Sequence, residues 1–128
     1  MVLVKHVALC MDSKVHARSF YQDLLHADFV KEFEISSSLV KDIFSIDIEK
    51  ETLSVMVFEI ENMLFEIFIN NNTASSSFDH VCISVGDLNG FVKQCHKLNI
   101  PVSKITKDDK ILVFIKDYSG NLFEIKVK

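Results

Sequence analysis

Apolar and polar residues alternate in short runs along most of the chain, and twice that alternation gives way to a spacing of three and four. The first run, about Val2 to Met11, reads as a strand. Asp12 and Ser13 then offer helix caps, and Ala17, Phe20, Tyr21 and Leu24 fall on one stripe of a helix from about Lys14 to Leu25. Strands follow at about Phe29–Ile35, Thr52–Ile60 and Met63–Ile69, the last two joined by a tight Glu61-Asn62 turn. After residue 78 the order returns. A strand spans Phe78–Val85, and Asp87 caps a helix with Leu88, Phe91, Val92, Cys95 and Leu98 on its apolar face. Pro101 stops further helix, and strands are predicted at about Val102–Thr106, Lys110–Lys116 and Leu122–Val127. "KDDK" and "DYSGN" have the composition of hairpin connections.

Each half is therefore β-α-β-β-β, an α+β arrangement repeated in tandem. The register is close: Ser13 and Asp87 both lie seven residues after a histidine, and Leu24 and Leu98 both lie eighteen after. A polar run, "INNNTASSSF", separates the halves, giving one domain over 1–128 with modules at about 1–69 and 78–128 and a linker at about 70–77. The segment 35–51 has no counterpart in the second half. Ser36 to Ser38 supply caps for a short helix there, expected to bury Leu39, Ile43 and Phe44, and such an insertion either shapes a pocket or simply packs.

The repeat carries polar residues at fixed places. In the first strand His6, Ala8 and Cys10 share one face and Val7, Leu9 and Met11 the other; in its counterpart His80, Cys82 and Ser84 oppose Val81, Ile83 and Val85. The bulky faces are expected to pack on the helices, and the small-residue faces leave room for a ligand. "LFEI" occurs twice and places Glu66 and Glu124 in the closing strands of the two halves. Glu66 sits between Leu64 and Phe68, an expensive place for an unpaired carboxylate; Glu124 lies between Leu122 and the more polar Lys126. A lone histidine in a strand is ordinarily a hydrogen-bonded structural residue, and a lone glutamate is ordinarily solvated. Four such residues in register are another matter. His6, Glu66, His80 and Glu124 together would make an N₂O₂ site for Zn²⁺, Ni²⁺, Co²⁺, Mn²⁺ or Fe²⁺. His16, His26 and His96 read as surface or capping residues, and Cys10 and Cys82 as small packing residues.

Composition narrows the classes. With 14 basic and 18 acidic side chains, net charge −4 and no basic run, nucleic acid is not an expected partner. No stretch of eighteen apolar residues occurs and the N-terminus lacks the pattern of a secretory leader, so no membrane association and a cytoplasmic location are expected. Three cysteines without a CxxC indicate neither a disulfide framework nor a cysteine-rich zinc site.

The motifs "HVALCMDSKVHARSFYQDLL" and "FDHVCISVGDLNGFVKQC", closed by "LFEIFI" and "DYSGNLFEIKV", resemble the vicinal oxygen chelate superfamily, which includes glyoxalase I, fosfomycin-resistance proteins and extradiol dioxygenases. The resemblance covers essentially the whole chain. It implies two βαβββ modules forming a curled mixed sheet around a metal cleft, with helices packed outside. It also places His6, Glu66, His80 and Glu124 on the ligand positions of glyoxalase I and methylmalonyl-CoA epimerase. The implied activity is lactoylglutathione lyase-like: one divalent metal ion polarises a carbonyl substrate, and a glutamate, Glu124 by preference and otherwise Glu66, carries the proton of an enolisation. The substrates so implied are a hemithioacetal or an acyl-CoA. The alternatives are a methylmalonyl-CoA epimerase-like isomerase and a non-catalytic binding or resistance protein. Glyoxalase I commonly has an arginine where this chain has Cys10, and Arg18 is the only arginine, so lysines such as Lys104, Lys107 or Lys116 would have to hold a substrate anion. Members of this size often pair, and a homodimer is expected because a curled sheet leaves an edge to cover.

Overall fold

The computed structural model describes residues 6–71, 80–107 and 109–127, with the side chains of Ile43, Phe44 and Lys107 outside the description. The expected linker falls almost entirely beyond these residues, as do the predicted strand starts at 2–5 and 78–79.

Two βαβββ modules are present, each a four-stranded mixed sheet. In the first, β1 (His6–Met11) lies parallel to β4 (Met63–Ile69), and β4, β3 (Thr52–Ile60) and β2 (Asp28–Ser36) run antiparallel in turn. In the second, β5 (His80–Val85) lies parallel to β8 (Leu122–Val127), followed by β7 (Lys110–Lys116) and β6 (Val102–Lys107). The two sheets are open and separate within one chain, and β1 and β5 are both edge strands. The turn between β3 and β4 holds Glu61 at φ 51° and Asn62 at φ 69°, the two left-handed residues of a type I′ hairpin.

The first helix starts at α1 (Lys14–Ala17), where the Ser13 hydroxyl accepts from the His16 N–H at 3.1 Å. It continues not as α-helix but as a π-helical segment, Arg18–Leu24, with Leu25 N–H donating to Phe20 O five residues back. The predicted stripe is nonetheless the buried one: Ala17, Phe20, Tyr21 and Leu24 are all shielded from solvent. In the insertion, α2 (Ser37–Phe44) is capped by Ser36, whose hydroxyl accepts from Leu39 N–H. Here the expectation needs correcting. Val40 is the buried residue and Leu39 is 46% exposed, because this cap sets Val40 toward Ile35, Leu53 and Val55. The third helix, α3 (Leu88–Lys97), is capped by Asp87 as predicted, yet only Cys95 of its apolar face is fully buried.

One core joins the modules. Phe20 packs on Phe123 of the second sheet at 5.0 Å between ring centroids, while Tyr21 stacks on Phe58 of the first at 5.2 Å. Met56, Phe65 and Ile67 enter this core from one sheet, Val113, Ile115 and Ile125 from the other. Val7, Leu9, Val81 and Ile83 pack against it as well. Alternation then requires the histidine-bearing faces of both sheets to turn away from the shared core, and His6, Ala8, Cys10, His80, Cys82 and Ser84 are all exposed.

Candidate metal centre

The register of β1 against β4 pairs His6 with Leu64 and Ala8 with Glu66, so His6 and Glu66 lie diagonally on one face. Their side chains meet: His6 Nε2 is 3.6 Å from Glu66 Oε1, at 46% and 25% side-chain exposure. Two donors each about 2.1 Å from a small divalent ion stand roughly 3–3.5 Å apart, so an imidazole nitrogen and a carboxylate oxygen at this separation suit a shared ion. In the second sheet His80 pairs with Leu122 and Cys82 with Glu124, which reproduces the same diagonal. Among the described residues no three His, Cys, Asp or Glu side chains come together within one chain. The fold thus repeats one histidine–glutamate diagonal on two outward faces.

Other predicted residues sort by location. Cys10 and Cys82 lie on the exposed faces rather than packed, since each follows its histidine at a spacing of two or four along an edge strand. Although Cys10 reaches the surface, the protein packed around its sulfur desolvates it, and this, followed by the nearby Asp117 charge, raises the thiol above its ordinary pKa. Burial takes Cys95 further, to about 11. His16 engages both carboxylate oxygens of Asp12 at 2.8 and 2.9 Å and stacks on Tyr118, a surface role as predicted. Arg18 is 3.9 Å from Glu32, which also takes Lys14 at 2.6 Å.

The "DYSGN" connection does more than turn the chain. Buried Asp117 accepts hydrogen bonds from Ser119 N–H, Asn121 N–H and the Asn121 side-chain amide, with Gly120 at φ 85° closing the loop. That amide also donates to Cys10 O, and Ser119 Oγ accepts from Asp12 N–H at 2.6 Å, so the loop before β8 is tied to the end of β1. Desolvation raises the Asp117 pKa against the opposing pull of these donors. The five-residue run already signalled a turn, but nothing in it signalled the far strand it binds.

Residues 3–125 match the Glyoxalase/Bleomycin resistance protein/Dioxygenase superfamily. The chain belongs to this superfamily. Solved relatives share its fold. The fosfomycin resistance protein FosX of Listeria monocytogenes aligns over 100% of this chain and 94% of its own, with TM-score 0.73 and 11% identity. A glyoxalase family protein of Enterococcus faecalis aligns over 96% and 95%, with TM-score 0.70 and 16% identity. A variant of the Listeria protein complexed with Mn(II) and 1S,2S-dihydroxypropylphosphonic acid aligns over 98% and 92%, with TM-score 0.72 and 12% identity. Superfamily relatives therefore include a protein complexed with a divalent metal and a small molecule. No curated protein matches the sequence. No helix among the described residues is long and apolar enough to cross a membrane.

Proposed function

We propose that this superfamily member is a divalent-metal-dependent enzyme that isomerises a small carbonyl substrate by enolisation, each metal site being shared between two copies of the chain. The observation that carries the reading is the His6–Glu66 pair at 3.6 Å, repeated in register at His80 and Glu124. His6 and Glu66 of one copy and His80 and Glu124 of its partner hold the ion. Both histidines sit on edge strands that have one strand neighbour each among the described residues, and both polar faces point out of the common core, which supports closure between copies rather than within one. The ion supplies Lewis-acid polarisation of the substrate carbonyl.

The chain supplies the rest. A glutamate carboxylate takes the proton from the carbon beside the carbonyl and returns it either to the adjacent former carbonyl carbon or to the opposite face of the same carbon, so that the product is an isomer and no other reagent is needed. Glu124 is assigned this role. It shares a strand face with exposed Lys126 in β8, whereas Glu66 is held against His6. Lactoylglutathione lyase-like and acyl-CoA epimerase-like reactions both use this step.

The test has two readouts. Wild-type protein should bind one divalent ion per chain, and His80→Ala and Glu66→Gln should each lose it; retention of wild-type stoichiometry and affinity overturns the assignment. In deuterium oxide, isotope should enter the α-carbon of a turned-over carbonyl substrate. A second reading, a small-molecule binder without chemistry, is favoured by the apolar cavity beside His6 and Glu66, and it predicts binding without isotope entry.

A further inference from the structure

The polar face of the first sheet continues past His6 and Glu66 into a cavity of about 540 Å³, well within the range of ligand pockets. Its floor is Ala8, Cys10 and Phe68, one pleat further along the strands, since Ala8 pairs with Glu66 and Cys10 with Phe68. Its wall is the insertion that the second module lacks: Val40 of α2, then Ile46 and Ile48 of the loop leading to β3. The void lies beneath the insertion because α2 packs over β2 and β3, through Ile35, Leu53 and Val55, while β1 lines it with Ala8, Leu9 and Cys10.

Charge restricts what fits. Among the described residues no lysine, arginine or histidine lines this cavity, and the charged ones that do are Asp47 and Glu49. Asp47 is 3.2 Å from Lys41, with its side chain 85% exposed. The sole arginine is beside Glu32, outside the lining. A phosphate, phosphonate or carboxylate placed here would lose its hydration and meet two carboxylates, with no cation among the described lining residues and Lys41 already engaged by Asp47. At its far end, through Ile48, Glu49, Leu53 and Asn70, the cavity adjoins a smaller one of about 210 Å³ where Asp12, Lys50 and Asn71 offer hydrogen-bonding groups.

We infer that the insertion makes this cavity the seat of an uncharged apolar group of the substrate, an aromatic or branched aliphatic body whose oxygens face His6 and Glu66 and whose far end carries at most a hydrogen-bonding polar group. The orientation of that body rests on the metal-site reading above; its occupancy does not. The inference disfavours substrates that bring an anion into this cavity, glutathione carboxylates and phosphonates among them.

Two dyes with the same aromatic body test it: neutral N-phenylnaphthylamine, and anilinonaphthalene sulfonate, which adds one negative charge. Fluorescence titration of the metal-free full chain should show saturable binding of the neutral dye, with the sulfonate about tenfold weaker or worse. Ala8→Phe fills the floor from an exposed position, and Ile46→Asp puts a charge in a wall residue that is 51% exposed. Each should weaken the neutral dye by about tenfold or more, with circular dichroism unchanged. Equal binding of the two dyes, or neutral-dye binding untouched by both substitutions, overturns the inference. Metal binding is measured on the same samples. Loss of metal in Glu66→Gln with dye retained supports both readings. A wild-type protein that takes the dye in this pattern but no metal ends the enzyme reading and leaves the cavity assignment standing.

Discussion

The two modules carry the same strand order and the same histidine–glutamate diagonal, yet they are clothed differently. In the first, Val55, Met56, Val57 and Phe58 of β3 are all buried, so both faces of that strand are covered. Met56 and Phe58 enter the shared core, while Val55 joins Ile35, Val40 and Leu53 in a separate small cluster on the other side. The second module has no insertion, and of β7, the counterpart of β3, only Val113 and Ile115 are buried. The comparison separates two jobs. The repeat places the candidate ligands, and the insertion decides which of the two faces acquires an enclosed apolar space.

The largest asymmetry should appear in turnover. Glu124→Gln leaves an amide oxygen that can still ligate but cannot take a proton, so kcat should fall by about 10²–10⁴ with a much smaller change in metal affinity. Glu66→Gln should show the reverse, with metal lost first. Steady-state kinetics beside metal titration reads both, and the opposite order would move the base to Glu66 and so to the first module.

Stability comes next. Phe123→Ala opens the core that both sheets share and should cost about 3–5 kcal/mol while unfolding stays a single transition, as urea denaturation followed by circular dichroism and tyrosine fluorescence will show. Leu53→Ala affects only the insertion's small cluster and should cost about 2 kcal/mol, at the lower end for such truncations. Equal costs would mean that the insertion is as integral to the fold as the common core.

The smallest effect lies in the loop before β8, which hydrogen-bonds to the end of β1. Burial raises the folded-state pKa of Asp117, so its proton favours the folded chain. Its contribution is complete below the unfolded value of about 3.9 and is lost as pH rises through the raised folded value. The stability of wild type relative to Asp117→Asn should therefore decline from pH 4 to pH 7 in paired urea titrations. A constant difference would show that the hydrogen bonds from Ser119 and Asn121 offset the burial.

Much of this was legible from residue pattern because it depends on local chemistry. Thr52–Ile60 and Met63–Ile69 are apolar runs split by the Glu61-Asn62 turn and form strands with those bounds, and Ser13, Ser36 and Asp87 cap helices as their side chains allow. The π-helical turns at Arg18–Leu24 were not legible, because the stripe Ala17, Phe20, Tyr21, Leu24 is equally apolar in an α-helix. Alternation assigned His6 and His80 to polar faces, but it carries no information on which faces of two sheets meet. That was decided by rings distant in sequence, Phe20 on Phe123 and Tyr21 on Phe58. The Asp117–Asn121 loop was hidden for the same reason, its partner Cys10 lying 111 residues away from Asn121.

The central claim is that each metal site draws half of its ligands from each of two copies, and a mixing experiment tests it most directly. His6→Ala and His80→Ala chains should each fail to bind the ion at wild-type affinity when alone. Unfolded together and refolded at equal concentrations, they should form mixed dimers in which the intact His6 of one copy meets the intact His80 of the other. About a quarter of the wild-type metal capacity should then return, the statistical share for random pairing in a two-fold dimer. No recovery from a mixture shown to exchange subunits would contradict the account.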